Sequence, residues 1–254
     1  MTTNSKIALV TGGSRGLGKD MALQLAKKGH NVIITYHSKS EEAQKVVADI
    51  EKLGKKAAAL QLDVADYKSF DGFISQIQST LQSTFQADKI DYLVNNAGVG
   101  AHANFADTTE EQFDNMVNVH LKAPFFITQK LLPVFNNGGG IVNIASGLTR
   151  FSFSGYDAYA TMKGGVETLS QYQAKFLGDR GIRVNIVAPG AIETDFGGGA
   201  VRDNKDLNNM ISSLTALGRV GLPDDIGSVV AFLCSDDAKW VNGQRIEVSG
   251  GIFL

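Results

Sequence analysis

The short apolar run Ile7-Ala8-Leu9-Val10 breaks directly into Thr11-Gly12-Gly13-Ser14-Arg15-Gly16-Leu17-Gly18, and helical spacing through Leu17, Met21, Leu25 and Ala26 follows. Glycines in this position let a strand turn sharply into a helix. The side-chain-free backbone can then approach a pyrophosphate, with N–H donors and the positive end of the helix dipole facing it. A tight turn without a ligand is the competing reading. The spacing, G-x-x-x-G-x-G, differs from the commoner G-x-G-x-x-G fingerprint, so the context carries more weight than the glycines alone.

The same rhythm continues along the chain. Strands are expected at 31–36, 57–62, 90–95, 141–145, 183–188 and 244–249, each rich in β-branched or aliphatic residues. Helices are expected over 40–53, 67–85, 109–135, 156–177 and 223–233, with Pro124 and Pro133 as local perturbations and Pro223 opening the last. Alternating strands and helices imply an α/β fold: a doubly wound parallel sheet of about seven strands, covered by helices on both faces. No linker or low-complexity tract interrupts the pattern, so one domain over 1–254 is expected.

Of the 254 residues, 43% are hydrophobic and 20% charged, a composition ordinary for a globular chain able to bury a sizeable core. The formal net charge of −2 offers no basic field for nucleic acid or an anionic membrane. Cys234 is the only cysteine, which excludes an intramolecular disulfide and a cysteine metal cluster; no metal is expected. It sits beside Val229–Leu233 and reads as a buried, inert thiol. With no signal-like segment before the first strand and no apolar run of membrane-spanning length, a cytoplasmic location is expected.

The Gly-rich spacing, followed by Asn95-Asn96-Ala97-Gly98 and Tyr159-Ala160-Thr161-Met162-Lys163, resembles the short-chain dehydrogenase/reductase family. The resemblance runs from Lys6 to Gly251 and includes Asp63-Val64, Pro189-Gly190 with Thr194, Gly221-Leu222-Pro223-Asp224-Asp225-Ile226 and Ser249-Gly250-Gly251. It implies a nicotinamide cofactor held by Gly12, Ser14, Arg15, Gly16, Leu17 and Gly18. Asp63 would meet the adenine amino group, and the Val64 N–H a ring nitrogen; a helix N-cap is the plainer role for Asp63. Asn95 would brace the strand ends at the cofactor site, and Ala97 and Gly98 would pass under the adenosine ribose. Pro189, Gly190, Ile192 and Thr194 would reach the carboxamide and diphosphate.

An NAD site usually carries an acid near the end of the second strand. Here the segment is Thr35-Tyr36-His37-Ser38-Lys39-Ser40, without a carboxylate before Glu41. The resemblance places Arg15 against a 2′-phosphate, where a guanidinium supplies planar bidentate donors. His37 and Ser38 would add to the site. NADP(H) is therefore the preferred cofactor, with NAD(H) the alternative.

Tyr159 and Lys163 are four apart on an expected helix and share a face. A phenol titrates near pH 10 unaided, and a neighbouring ammonium would lower that value. Lys163 would also hold the nicotinamide ribose. Ser146 closes the strand Ile141–Ala145 at the carboxyl edge, where it would hold the substrate oxygen; capping a turn is its plainer role. The family's remaining catalytic group is an Asn in the preceding helix that holds a relay water. Aligning Phe125 with the phenylalanine five places after that Asn brings His120 to the position, whereas a two-residue insertion would bring Asn118. A histidine there would titrate near working pH and sensitise the relay to it.

The expected activity is NADPH-dependent interconversion of a small-molecule carbonyl and an alcohol, with Tyr159 as proton donor and Ser146, Lys163 and His120 beside it. The alternatives are an NAD(P)-linked alcohol, sugar or steroid dehydrogenase, a 3-oxoacyl thioester reductase, or a dinucleotide-binding regulator without turnover. Phe151, Phe153, Tyr156 and Phe196 would flank the substrate or serve as core, and Arg150 and Arg202 read as solvated. Gly197-Gly198-Gly199 suggests a mobile lid. Trp240 and the apolar Ile252-Phe253-Leu254, together with the family resemblance, point to a homotetramer.

Overall fold

Period-two alternation along the strands sorts the core into two layers. In β1 (Ile7–Val10), Ala8 and Val10 face one side of the sheet, while Ile7 and Leu9 face the other. The first layer packs on α1 (Gly16–Lys27) and α2 (Ser40–Lys52) through Met21, Leu25, Val46 and Ile50. The second packs on α3 (Phe70–Thr80) through Phe70, Phe73 and Ile77. The computed structural model describes residues 5–100 and 102–254.

Between these helices run β2 (Asn31–Tyr36), β3 (Ala57–Gln61) and β4 (Ile90–Asn95). The second half contributes α4 (Glu110–Val117), α5 (Ala123–Leu131), β5 (Phe135–Ile144), α6 (Asp157–Phe176) and β6 (Arg183–Pro189). Next come the short α7 (Ala200–Asp203), α8 (Lys205–Ser213), α9 (Pro223–Leu233) and β7 (Arg245–Val248). Every strand pair is parallel, in the order β3-β2-β1-β4-β5-β6-β7. The seven-stranded doubly wound sheet expected from the sequence is thus observed. Among the described residues, no helix is long and apolar enough to cross a membrane. Cys234 is fully buried, and burial pushes its thiol up to about 12.

Two expected helices are interrupted. The 109–135 stretch divides at a π-turn, Asn118–Lys122, and ends in a 3-10 turn at Leu132–Val134. Pro124 has no N–H for the carbonyl of His120, so the regular ladder cannot pass that point. The 67–85 stretch is a 3-10 turn, then α3, then a π-turn at Leu81–Phe85 that Gln86 closes in a left-handed conformation (φ 53°). β5 begins six residues earlier than expected, at Phe135, with a register irregularity opposite Ile90 and Tyr92. Its glycines obscured the strand in the sequence, yet Gly139 lies so close to the Asp91 carbonyl that a Cβ would collide.

Candidate active site

The strand order reverses between β1 and β4, and the crevice at their carboxyl ends is where an open α/β sheet receives a ligand. Thr11 builds its floor. The Thr11 hydroxyl accepts from the backbone N–H groups of Asn96 and Ala97, both at 3.0 Å. Asn96 returns its amide to the carbonyls of Thr11 (2.9 Å) and Gly12 (3.2 Å). Gly12 has φ 67°, and a Cβ there would stand 2.9 Å from Ala97 Cα. A Cβ on Gly18 would strike the Gly12 carbonyl. The turn is therefore a cradle of bare backbone. It opens onto α1, whose first turn carries no acidic residue. Arg15 lies on its exposed rim, with Nη1 3.8 Å from Asp195 Oδ2, and Gly16 faces Thr194. Ser14 and Leu17 are half-buried in the same turn.

At the neighbouring edge, His37 and Ser38 are exposed at the end of β2, and His37 Nε2 lies 3.6 Å from Asp63 Oδ2. Asp63 Oδ1 accepts from the Ala65 N–H at 2.9 Å within a loop turn, while the N-cap of the following helical turn is Asp66 rather than Asp63; Val64 lines a small cavity with Thr11, Asn95 and Ala97. Asn95 turns its amide nitrogen into the β4–β5 seam, donating to Asn143 Oδ1 (2.8 Å) and Thr128 Oγ1 (3.1 Å). It is a buried brace between strands, and its amide nitrogen is engaged there rather than with a cofactor.

Ser146, Tyr159 and Lys163 come together at the end of β5, all buried. The Ser146 hydroxyl caps the following turn, accepting from the Leu148 N–H at 3.2 Å. Burial raises the Tyr159 phenol above its ordinary value; the Ser146 side chain opposes that shift, and Tyr156 adds to it. Lys163 Nζ donates to the Ile144 carbonyl at 2.7 Å and lies 5.5 Å from the Tyr159 ring centre. Burial of its ammonium lowers Lys163 to about 7. Desolvation of the phenol itself dominates, and the lowering anticipated from Lys163 is not among the influences on it.

His120, not Asn118, faces this group. Its ring packs edge-on to Tyr159, with centroids 5.0 Å apart, and Nε2 meets the Val99 carbonyl at 2.8 Å. A Cβ on Gly98 would stand 2.8 Å from His120 Cε1. Burial, then the charge of Lys163, lowers the imidazole to about 3, against the expectation that it titrates near working pH.

The segment after β6 closes the site from above. Gly190 donates to the Val248 carbonyl at 3.0 Å, and Pro189 ends β6 beside it. Ile192 bridges to Gly221, and Thr194 Oγ1 accepts from the Phe196 N–H at 3.2 Å. Phe196 lies 5.7 Å from Tyr159, and Gly197, Gly198 and Gly199 follow with φ of 61°, 74° and 79°. Tyr156 and His102 stand on the other flank, 5.3 Å apart. Phe151 and Phe153 instead pack on Phe253, at 4.8 and 5.8 Å. Neither arginine read as solvated is free. Arg150 forks onto Glu247 (2.6 and 2.8 Å), and Arg202 onto Asp195 and Asp203. Thr11 and Asn96 lie inside the Gly-rich and Asn95–Gly98 motifs, but their mutual contact spans 85 positions and has no local signal. The contacts of Arg245 and Glu167 behind Ser146 had no local sequence signal.

Residues 12–252 match the family described as enoyl-(acyl carrier protein) reductase, of the short-chain type. The chain is 36% identical to the short-chain dehydrogenase/reductase FrzI of a Cladobotryum species, over 97% of this chain and 95% of that protein. It is 37% identical to the 3-oxoacyl-(acyl-carrier-protein) reductase FabG of Staphylococcus aureus, over 98% and 99%. Its fold superposes on the angucycline C-6 ketoreductase LanV, solved with bound NADP, with a TM-score of 0.93 and 38% identity over 98% of this chain and 95% of that one. Sheet order, glycine cradle and these whole-length similarities agree: the chain belongs to the short-chain dehydrogenase/reductase family.

Proposed function

We propose that this protein is an NADPH-dependent reductase of a ketone or aldehyde, working in one domain through Ser146, Tyr159 and Lys163. The observation that carries the reading is the convergence of those three buried side chains beside a backbone cradle that a Cβ at Gly12 or Gly18 would fill. The bare turn, the start of α1 and Thr194 suit a diphosphate. Arg15, with His37 and Ser38 nearby, suits a 2′-phosphate, and LanV, at 38% identity, is solved with bound NADP. When bound there, NADPH would supply the hydride.

Ser146 holds the substrate oxygen through its hydroxyl and polarises the carbonyl. Tyr159 delivers its phenolic proton to that oxygen as charge develops there. A phenol held above its ordinary value stays protonated until this moment. Lys163 fixes the ribose side of the site and compensates the phenolate as it forms. His120, neutral, stands in the relay position as a hydrogen-bonding wall of the proton path. The reverse reaction uses the same groups.

A second reading, 3-oxoacyl thioester reduction, is favoured by the S. aureus relative at 37% identity. Both are tested by following loss of NADPH absorbance over ketones, diketones, aldehydes and an acetoacetyl thioester, beside NADH and beside a Tyr159→Phe protein. NADPH-linked turnover that disappears in the variant supports the reading, and the preferred substrate separates its two forms. Turnover undiminished in Tyr159→Phe overturns it. Trp240 and Leu254 (each 96% exposed) and Tyr172 and Phe176 (74% and 75%) would be covered in a homotetramer, which light scattering tests. A cytoplasmic setting accords with NADPH chemistry.

A further inference from the structure

Behind Ser146, away from the crevice, four charged side chains form a continuous ladder. Arg245 and Glu247 are two apart on β7 and so project from the same face. Arg245 Nε donates to Glu167 Oε1 at 2.7 Å, Nη1 to Glu247 Oε2 at 3.0 Å, and Nη2 to Thr149 Oγ1 at 3.0 Å. The same Nη2 lies 3.3 Å from the backbone carbonyl of Ser146. Thr149 Oγ1 is itself 2.9 Å from that carbonyl and 2.6 Å from Glu167 Oε1. On the far side, Glu247 takes the fork of Arg150 and the hydroxyl of Ser249.

Glu167 gives this ladder its reach. It lies eight residues after Tyr159 and four after Lys163, so all three occupy one stripe of α6. One guanidinium therefore grips the main chain of Ser146 and the helix that carries Tyr159. The side chains of Arg245, Glu167 and Glu247 are only 25%, 21% and 19% exposed, so their mutual attraction is partly shielded from water. A guanidinium with five donors in a rigid plane can satisfy several acceptors at fixed angles, which an ammonium cannot.

We infer that Arg245 is a positioning residue for the reduction, setting the placement of Ser146 against Tyr159 by clamping the Ser146 carbonyl and Thr149 to Glu167. Its donors meet Glu167, Glu247, Thr149 and the main-chain carbonyl of Ser146, not the hydroxyl of Ser146 or of Tyr159. The inference rests on the reading of Ser146 and Tyr159 as the reacting pair.

The test is steady-state kinetics with NADPH and the best carbonyl substrate of the panel, on Arg245→Met, Arg245→Lys, Glu167→Gln and Arg150→Met. NADPH affinity is measured separately from the fluorescence of the bound nucleotide. A displacement of about 1 Å at a reacting group is enough to lower kcat about 100-fold, and Arg245→Met is expected to do so with KM for the carbonyl and Kd for NADPH changed less than about threefold. Arg245→Lys recovers only part of that loss. Because Arg245 and Glu167 act as one unit, a protein carrying both Arg245→Met and Glu167→Gln falls no further than the worse single variant. Arg150→Met removes the fork on Glu247 but no contact to Ser146, and it keeps kcat within about threefold. Should Arg245→Met fold poorly, Glu167→Gln carries the same comparison. The inference is overturned if Arg245→Met and Glu167→Gln keep near-normal kcat, or if Arg150→Met lowers kcat as much as they do, since the effect would then be strand docking alone. Failure of the underlying reading looks different: Ser146→Ala and Tyr159→Phe would themselves retain turnover.

Discussion

The imidazole of His120 stands perpendicular to the ring of Tyr159, at 86°, and is pinned there by the Val99 carbonyl at 2.8 Å. That short contact makes Nε2 the protonated nitrogen, which leaves Nδ1 as a buried acceptor with no partner among the described residues. A protonated imidazole in this place would add a second positive charge beside Lys163 inside the core. Its pKa of about 3 comes first from burial and then from that charge, so the ring is neutral wherever the enzyme works.

His120→Asn is accordingly expected to change kcat by less than about tenfold while leaving the shape of its pH profile unaltered between about pH 5 and 9. Parallel profiles for the two proteins would agree with a neutral wall. An inflection near pH 6.5 in the parent that vanishes in the variant would show that the histidine titrates after all.

Lys163 leads to a stability prediction whose sign follows from linkage. Its pKa falls from 10.5 in the unfolded chain to about 7 in the fold, so between those values the unfolded state binds the extra proton and stability rises with pH. The penalty of the buried charge is therefore greatest below pH 7. Lys163→Met should abolish turnover yet raise the melting temperature at pH 6, with the gain shrinking as pH approaches 10.5. A gain that is equal at pH 6 and pH 10, or absent at both, would contradict the assignment.

Arg15 is tied to Asp195 only across 3.8 Å on an exposed rim, a pair worth little, so its guanidinium can turn to a phosphate. Arg15→Ser should weaken NADPH binding about 10- to 100-fold, the range of a charged hydrogen-bonded contact, while NADH binding changes little. Titration of both nucleotides decides the matter, and equal losses for the two would remove the 2′-phosphate from the account.

How much of this was legible in the sequence depends on whether the signal was local. The strand-to-helix turn at Gly12–Gly18 and the Tyr159/Lys163 stripe are set by spacing within a few residues, and both were readable. The π-turn at Asn118–Lys122 has its cause in Pro124, a visible residue, but the direction His120 would face follows from the changed helical phase rather than from the pattern. The brace made by Asn95, Asn143 and Thr128 joins residues 33 and 48 positions apart, and the Arg245 ladder joins β7 to Ser146 across 99. Such contacts are products of the sheet order, and nothing in the flanking residues announces them. Arg150 shows the same limit: read alone it is a solvated cation, while in the fold it forks onto Glu247.

Gly18 carries the crevice through absence of a side chain. Gly18→Ala would drive a methyl into the Gly12 carbonyl, and the adjustment should cost about 1–3 kcal/mol and reduce nucleotide affinity at least tenfold. Chemical denaturation and nucleotide titration of the variant check both numbers, and an unperturbed affinity would mean that the turn does not meet the cofactor.

The most direct test of the account follows the hydride and the proton together. The protein is given NADPH deuterated at the transferable position and a ketone it reduces, and the product alcohol is analysed by mass spectrometry for the parent and for Tyr159→Phe. The account predicts one deuterium on the carbinol carbon from the parent enzyme, and product formation about 100- to 10,000-fold slower from Tyr159→Phe with nucleotide binding intact. Alcohol without deuterium at that carbon, or a Tyr159→Phe protein as fast as the parent, would contradict it.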